Sequence, residues 1–137
     1  MGTLFISEHA QGVGSLGELN RYFEIHNPSD VAVDLGGYGI AYVVDDPTVP
    51  GQPDGYLGFL SGTVVAPGDV YVVCNSLADL TILAECDFGW SDGLTDGDDS
   101  YCLAQGTSLA SFTTLDCVGS FSARGPYAAC GVASATK

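Results

Sequence analysis

The densest group of side chains that could bind a ligand is the run Ser91–Asp99, which reads SDGLTDGDD. It holds four carboxylates, those of Asp92, Asp96, Asp98 and Asp99. Because calcium prefers several oxygen ligands from a turn-rich loop, this run is the candidate calcium site. The spacing is not that of an EF-hand, since both the Asp-x-Asp-x-Asp-Gly order and the distant bidentate glutamate are missing. Carboxylates beside glycines also cap turn amides, so we expect a turn that binds calcium weakly.

The other reactive side chains do not form a catalytic motif. Nucleophilic catalysis needs a hydroxyl or thiol beside a base, and neither His9 nor His26 lies in a recognisable motif of this kind. Four glutamates could supply a carboxylate pair, but nothing in the sequence shows that they converge: Glu8, Glu18, Glu24 and Glu85. We therefore predict that the chain is not an enzyme and has no cofactor other than the candidate calcium.

The five cysteines favour disulfides over a zinc site, because no C-x-x-C pair is present and the histidines are distant in sequence. Cys74 ends a predicted strand and Cys86 ends a short helix predicted to begin at Ser76, so these two thiols could meet. Cys117 could bond to Cys102 across a hairpin, or to Cys130 around a loop of similar length to the first. We prefer the bond to Cys130. The cysteine left over points to a partner chain, a buried thiol or a missing segment.

Short runs of alternating apolar and polar residues predict the secondary structure. The runs are 3–8, 21–27, 38–44, 56–60, 69–74, 100–105 and 112–118. Turn-forming residues fill the gaps between them, which indicates an antiparallel β-sandwich with one short helix. A period of two places Phe23 and Ile25 inside and leaves His26 on the solvent side. Prolines at 47, 50 and 53 predict an extended, polyproline-like loop over 45–55.

Composition limits the partners of the chain. Its 137 residues fit one domain, 1–137, and mean hydropathy is +0.25 with only 15% charged residues. The formal net charge of −14 disfavours nucleic acid and anionic membranes. No apolar run is long enough to insert into a bilayer. Calcium, a basic protein or a glycan would suit this charge better.

Several segments, in order along the chain, resemble the lamin tail domain family. They are Thr3–Glu8, Arg21–Pro28, Val31–Ile40, Leu60–Gly62, Ala66–Val73, Gly97–Asp99 and Leu115–Gly119. The resemblance implies an immunoglobulin-like β-sandwich without shared catalytic residues. Exported members often carry a cysteine pair at the positions of Cys74 and Cys86, which implies that bond and an extracellular or cell-surface location.

The resemblance also implies one more strand after a segment similar to Ala129–Lys137, so we expect domain 1–137 to lack its last strand and to expose a sheet edge. An open edge favours self-association into an extracellular fibre, coat or matrix. The donor strand is predicted at Thr3, Leu4, Phe5 and Ile6, because a terminal strand detaches with the least rearrangement. The partner is then a second copy, or another extracellular protein or a glycan. The alternative is an accessory binding module of a secreted nuclease- or phosphatase-type hydrolase.

Overall fold

The computed structural model describes residues 2–10, 19–92, 94 and 99–122 with their side chains, and the backbone of 128–129 and 132–133. The strands in these parts of the chain are β1 (Phe5–Ala10), β2 (Tyr22–His26), β3 (Val33–Asp34), β4 (Tyr38–Val43), β5 (Gly55–Gly58), β6 (Val64–Val65), β7 (Val70–Cys74), β8 (Phe88–Gly89), β9 (Ser100–Ser108), β10 (Ser111–Val118), β11 (Ala128–Ala129) and β12 (Val132–Ala133). A 3-10 turn, Leu35–Gly37, precedes β4, and one helix, α1 (Leu80–Leu83), follows β7.

The strands form two main sheets and one small one. The first sheet has the order β1-β2-β7-β8, and the second has the order β12-β11-β10-β9-β4-β5. The small sheet pairs β3 with β6. All pairings among the described strands are antiparallel except that of β7 with β8. This is the predicted immunoglobulin-like β-sandwich with one short helix.

The core lies between the two main sheets. Phe23 and Ile25 of β2 are fully buried, as the period of two predicted, while the His26 side chain is only partly buried and contacts the ring of Phe5. The ring of Phe23 stacks on that of Tyr101 from β9, with centroids 4.5 Å apart. Strand β9 lies between β10 and β4 in the second sheet, so it can bury five consecutive residues, from Ser100 to Ala104. Aromatic stacking therefore joins the two sheets directly.

All seven predicted runs contain strands, but the start of the helix was predicted wrongly. Ser76 does not cap the helix; the N-cap is Asp79, whose carboxylate accepts hydrogen bonds from the amides of Thr81 and Ile82. The predicted first turn is instead an Asn75 turn, in which the Ala78 amide donates to the Asn75 carbonyl at 3.0 Å. The Asn75 side chain also accepts from the amide of Leu77. A turn closed by the side chain and the carbonyl of Asn75 thus takes the place of a helical turn.

The proline loop is also more compact than predicted. Residues Val49–Gln52 form a turn, because the Gln52 amide donates to the Val49 carbonyl at 3.0 Å. Pro50 occupies the second position and Gly51, with φ of +89°, the third, as a type II turn requires. The Asp54 carboxylate closes the loop by accepting from the amide of Thr48. The extended polyproline path predicted for 45–55 is therefore wrong over this turn.

The structure contains two disulfides in the part of the chain that it describes. Cys74 is bonded to Cys86, as predicted. Cys117 is bonded to Cys102, so the preferred bond from Cys117 to Cys130 is wrong; Cys130 itself lies outside the described residues. The reason is the hairpin of β9 and β10, whose register places Cys102 and Cys117 directly opposite each other.

Peptide mapping of the oxidised protein checks this pairing. We expect one linked peptide pair that joins Cys74 to Cys86 and a second that joins Cys102 to Cys117. Replacing both Cys74 and Cys86 by alanine should lower the free energy of unfolding by roughly 3 kcal/mol, because the bond closes a short loop in the unfolded chain. Recovery of a peptide that links Cys117 to Cys130 would contradict the described hairpin register.

A buried asparagine joins the ends of several strands. The Asn27 amide nitrogen donates to three backbone carbonyls, those of Val31, Val65 and Ala66, at 2.8, 3.1 and 3.2 Å. Its side-chain oxygen accepts from both the amide and the hydroxyl of Ser29. The side chain is fully buried, and its polar atoms all have partners. Asn27 therefore connects the end of β2 to the segments that enter β3 and leave β6.

Replacement of Asn27 should destabilise the fold strongly. We expect Asn27→Ala to lower the free energy of unfolding by about 2–4 kcal/mol, because it removes the hydrogen bonds of a fully buried side chain to three backbone carbonyls and to Ser29. Asn27→Asp has nearly the same shape but cannot donate to the three carbonyls, so it should cost a similar amount. Ser29→Ala removes one hydroxyl and should cost about 1 kcal/mol. Denaturant unfolding checks the order, and an Asn27→Asp variant as stable as the parent would overturn the proposed donor role.

Candidate functional site

The acidic run Ser91–Asp99 is described only in part. Asp96 and Asp98 lie outside the described residues, whereas Asp92 and Asp99 are within them. The Asp99 side chain is buried, and its carboxylate accepts a hydrogen bond of 3.4 Å from the amide of Asp45, which has a φ of +60°. Within the described ranges, no three His, Cys, Asp or Glu side chains are grouped as a metal site requires. Asp99 thus supports a turn of the neighbouring loop, and calcium binding stays a prediction.

The predicted donor strand is more deeply packed than a free arm. Leu4 and Ile6 belong to the buried core, with 4% and 3% of their surfaces exposed, while Thr3 is exposed and Phe5 is 39% exposed. On the outer side of β1, the Ile6 amide donates to the carboxylate of Asp116 at 2.8 Å. Detaching Thr3–Ile6 would therefore remove two side chains from the core and break this bond.

A cleft between α1 and the outer face of the first sheet is the candidate binding site. Its volume is about 190 Å³. The first sheet contributes Tyr22, Glu24 and Val72, and the helical side contributes Thr81, Ile82 and Glu85. This acidic cleft thus has apolar walls from both the sheet and the helix, and a carboxylate on each of its two sides.

Local contacts hold α1 at this position. Because a helix of four residues has too few internal hydrogen bonds to be stable alone, other contacts must hold it. The Asp79 cap is bonded in both directions to Asn20: the Asn20 amide donates to the Asp79 carboxylate at 2.9 Å, and the Asp79 amide donates to the Asn20 side chain at 2.8 Å. The bond from Cys74 to Cys86 ties the other end of the helical segment to β7.

The sheet side of the cleft carries negative charge. In the register of β1 and β2, Glu8 lies directly opposite Glu24. The Tyr22 hydroxyl donates to Glu8 at 2.5 Å, and the Ser7 hydroxyl donates to Glu24 at 3.3 Å. The hydrogen bond to Glu8, with smaller effects from burial and from the charges of Glu8 and Glu24, raises the pKa of Tyr22 to about 12. Tyr22 is therefore neutral at physiological pH and the carboxylates set the charge of the cleft.

The sequence did not reveal this convergence. Glu24 and Glu85 were recognised as carboxylates that could form a pair, but they are distant in the chain and no motif connects them. The structure brings both to one cleft, with Glu8 beside Glu24. Glu18 lies outside the described residues. One sequence signal could have indicated the cleft: β2 has charged residues on its outer face, and a short helix follows that the bond from Cys74 to Cys86 would hold near the sheet.

A polar cluster lies inside the sandwich, away from the acidic cleft. The ring of His9 on β1 shares a hydrogen bond with the hydroxyl of buried Tyr101 on β9. Burial and, to a smaller extent, the charge of Arg21 lower the pKa of His9 to about 4. Arg21 is itself only 6% exposed. His9 is therefore neutral in the folded protein at physiological pH, and its contacts indicate a structural role.

The low pKa of His9 predicts acid sensitivity. The unfolded chain binds a proton at His9 near the ordinary pKa of 6.5, whereas the folded chain does so only near 4. The free energy of unfolding should therefore fall as the pH is lowered from 6.5 to 4, by up to about 1.4 kcal/mol per pH unit from this residue. His9→Gln should flatten the dependence measured by urea unfolding. Equal slopes for the parent and His9→Gln would contradict the assignment.

Comparison with known families agrees with this architecture. The family profile described as Lamin Tail Domain matches residues 1–116. The chain belongs to the lamin tail domain family. This confirms the resemblance drawn from the sequence. No curated protein sequence matches the chain.

The family assignment fits the features of this lamin tail domain. The family is one of non-catalytic immunoglobulin-like domains. The two disulfides in the described part of this chain fit an extracellular protein, because such bonds persist in oxidising compartments. Among the helices of the described residues, none has the length and apolarity needed to cross a membrane.

Proposed function

We propose that this lamin tail domain is a non-catalytic extracellular structural module that associates with further copies of itself through a sheet edge. The observation that carries the proposal is the position of β5, which ends the second sheet beyond β4 among the described strands. The backbone groups on the outer side of such a strand can pair with a neighbouring chain. The low content of charged residues also favours a surface that another protein covers.

The β1 edge of the first sheet and the β5 edge of the second sheet differ in how open they are to a further strand. At β1, the Asp116 carboxylate binds the Ile6 amide, and a bulge at Ser7 interrupts the register with β2. A bulge, and an edge amide that is already bonded to a side chain, make an edge a poor template for a further strand. The β5 edge, in contrast, has a regular register with β4 over all four of its residues. We therefore place the contact at β5 rather than at Thr3–Ile6.

Contacts with neighbouring residues hold β5 in place, so that its outer edge can pair with a strand of a second copy. The Tyr56 hydroxyl donates to the carbonyl of Gly106 at 2.7 Å, and its ring covers Gly39, where an added Cβ would lie 2.6 Å from the ring. The Phe59 amide donates to the carbonyl of Tyr38 at 3.0 Å and continues the ladder. Leu60, directly after this, is 79% exposed. A rigid edge beside an exposed leucine combines backbone pairing with apolar burial.

The geometry of the contact decides the kind of assembly. If β5 pairs with β5 of a second copy, the contact is isologous and closes as a dimer. If β5 pairs with a different edge of the next copy, the contact repeats and gives a fibre. Electron microscopy separates these two forms. Both are self-association through the same strand.

A lysine placed on the edge tests the proposal. Gly58 is exposed, and an added Cβ there would lie no closer than 3.9 Å to any atom, so Gly58→Lys should fold normally. We expect it to weaken self-association, since a charged side chain blunts an edge strand. The control is Gly37→Lys, at an exposed site with open space that is not on a sheet edge.

Sedimentation velocity across a concentration series measures both variants beside the parent. The expected result is association of the parent and of Gly37→Lys, and monomers for Gly58→Lys. A parent that stays monomeric at every concentration would overturn the proposal. It would favour instead the accessory binding module, for which the acidic cleft is the supporting observation.

A further inference from the structure

We propose that the cleft between α1 and the outer face of the first sheet binds an arginine side chain from a basic segment of another protein. The strands of this surface belong to the first sheet, whereas β5 belongs to the second, and its partner is of a different kind. Binding at the cleft therefore does not require self-association.

The size of the cleft suits one side chain. Its volume of about 190 Å³ is below the roughly 300–1,000 Å³ of pockets that enclose drug-sized ligands and cofactors. A long side chain inserted from a bound segment fits this volume better. The rest of the segment would then lie across the rim, outside the cleft.

The chemistry of the walls selects a cation with an apolar stem. Val72 and Ile82 provide aliphatic surface on the sheet side and the helix side, and the Tyr22 ring provides an aromatic face. Glu24 and Glu85 provide carboxylates. Long basic side chains bury their methylene groups against apolar surface and keep the charged end at polar groups. The cleft offers both environments within one small volume.

Arginine matches this arrangement better than lysine. Its guanidinium is planar and has five donors in a fixed fork, so it can bond carboxylates on two sides at once. It also stacks on aromatic rings such as that of Tyr22. A lysine ammonium is a point charge and gains less from two separated carboxylates.

The charges around the cleft indicate what a partner would relieve. Glu8 and Glu24 face each other across β1 and β2, and like charges at directly opposite positions destabilise a sheet. The Tyr22 and Ser7 hydroxyls donate to these carboxylates but bring no positive charge. A bound guanidinium would bring a positive charge, and would therefore lower the repulsion between Glu8 and Glu24.

The charge of the chain argues for a partner other than a second copy. Only three of its 137 residues are Lys or Arg, and the net charge is −14. Arg21 is 6% exposed and cannot leave the core to enter a neighbour's cleft. A basic segment, in contrast, is attracted to a chain of this net charge at long range. The occupant that the electrostatics favour is therefore a basic segment of a different protein.

Fluorescence anisotropy with labelled peptides tests the proposal. The probes are three short peptides of glycine and serine that carry two arginines, two lysines or two citrullines at the same positions. Citrulline keeps the shape of arginine and removes its charge. The protein variants are Glu24→Gln/Glu85→Gln, which neutralises the cleft, and the matched control Asp30→Asn/Asp69→Asn, which removes the same charge from exposed turns outside it.

We expect the arginine peptide to bind more tightly than the lysine peptide, and the citrulline peptide not to bind. The cleft double variant should lose about threefold to tenfold in affinity for the arginine peptide at physiological salt, as expected for two partly exposed charged contacts. The control double variant should lose less than about twofold, because screening limits the effect of distant charges. Thr81→Lys, which places a cation at the cleft from within, should also weaken binding.

Two results would overturn the proposal. Equal losses in the cleft and control variants would show attraction by net charge alone, without a defined site. Unchanged binding in the cleft variant would place the peptide elsewhere on the surface. Circular dichroism and thermal unfolding of each variant show that the fold is intact, and a cleft variant that fails to fold is replaced by Glu85→Gln alone, whose side chain is exposed.

Discussion

The buried side chain of Asn27 is the contact on which the arrangement of the strands depends. An antiparallel sandwich can pair its strands by backbone bonds, but the chain segments between sheets must also satisfy their carbonyls away from water. Asn27 does this for three carbonyls at once, while its own backbone pairs with Asp69 and Gly68 before β7. The Asn27 backbone therefore fixes the end of β2 beside β7, and its side-chain amide positions the small sheet of β3 and β6. Without Asn27, the pairing of β2 with β7, which places Glu24 opposite Val72 in the cleft, would lose support at its end.

The acidic cleft exists because a helix too short to form alone is held against a sheet. Asn20 binds the Asp79 cap, and the disulfide from Cys74 to Cys86 fixes the segment after the helix. The Trp90 amide donates to the carbonyl of Cys74 at 2.7 Å, so the chain returns to β7 directly afterwards. These contacts are local to the cleft, whereas Asn27 acts on the fold. The helix side of the cleft therefore depends on these local contacts, while its sheet side depends on the strand pairing that Asn27 supports.

The fold could be predicted from the sequence, because it follows from local patterns of apolar and polar residues. Much of the site could not be predicted, because it depends on the register in which the strands pair. The alternation in Tyr22–His26 shows which residues are buried without reference to other strands. The partner of Cys117 depends instead on a bulge at Leu115, which shifts the pairing of β10 with β9. A bulge adds one residue to one strand and leaves no clear signal in composition. Likewise, strands of two residues such as β3 and β6 are too short to show alternation. That Glu24 and Glu85 line the same cleft can be seen only from the three-dimensional path of the chain.

The placement of carboxylates explains why the β1 edge is a poor site for a further strand and why the cleft beside α1 is negatively charged. Asp116 lies on β10, yet its side chain reaches the Ile6 amide of β1 and closes the gap between the two sheets at that edge. Its second oxygen accepts from the amide of Cys117 at 2.9 Å, so the carboxylate is held by two strands and is less available to a ligand. Among the described residues, Glu24 accepts a hydrogen bond from the Ser7 hydroxyl, and Glu85 is exposed. These carboxylates thus have two physical roles: that of Asp116, bonded to backbone amides, maintains the fold, and those of Glu24 and Glu85 are available to a cation from outside.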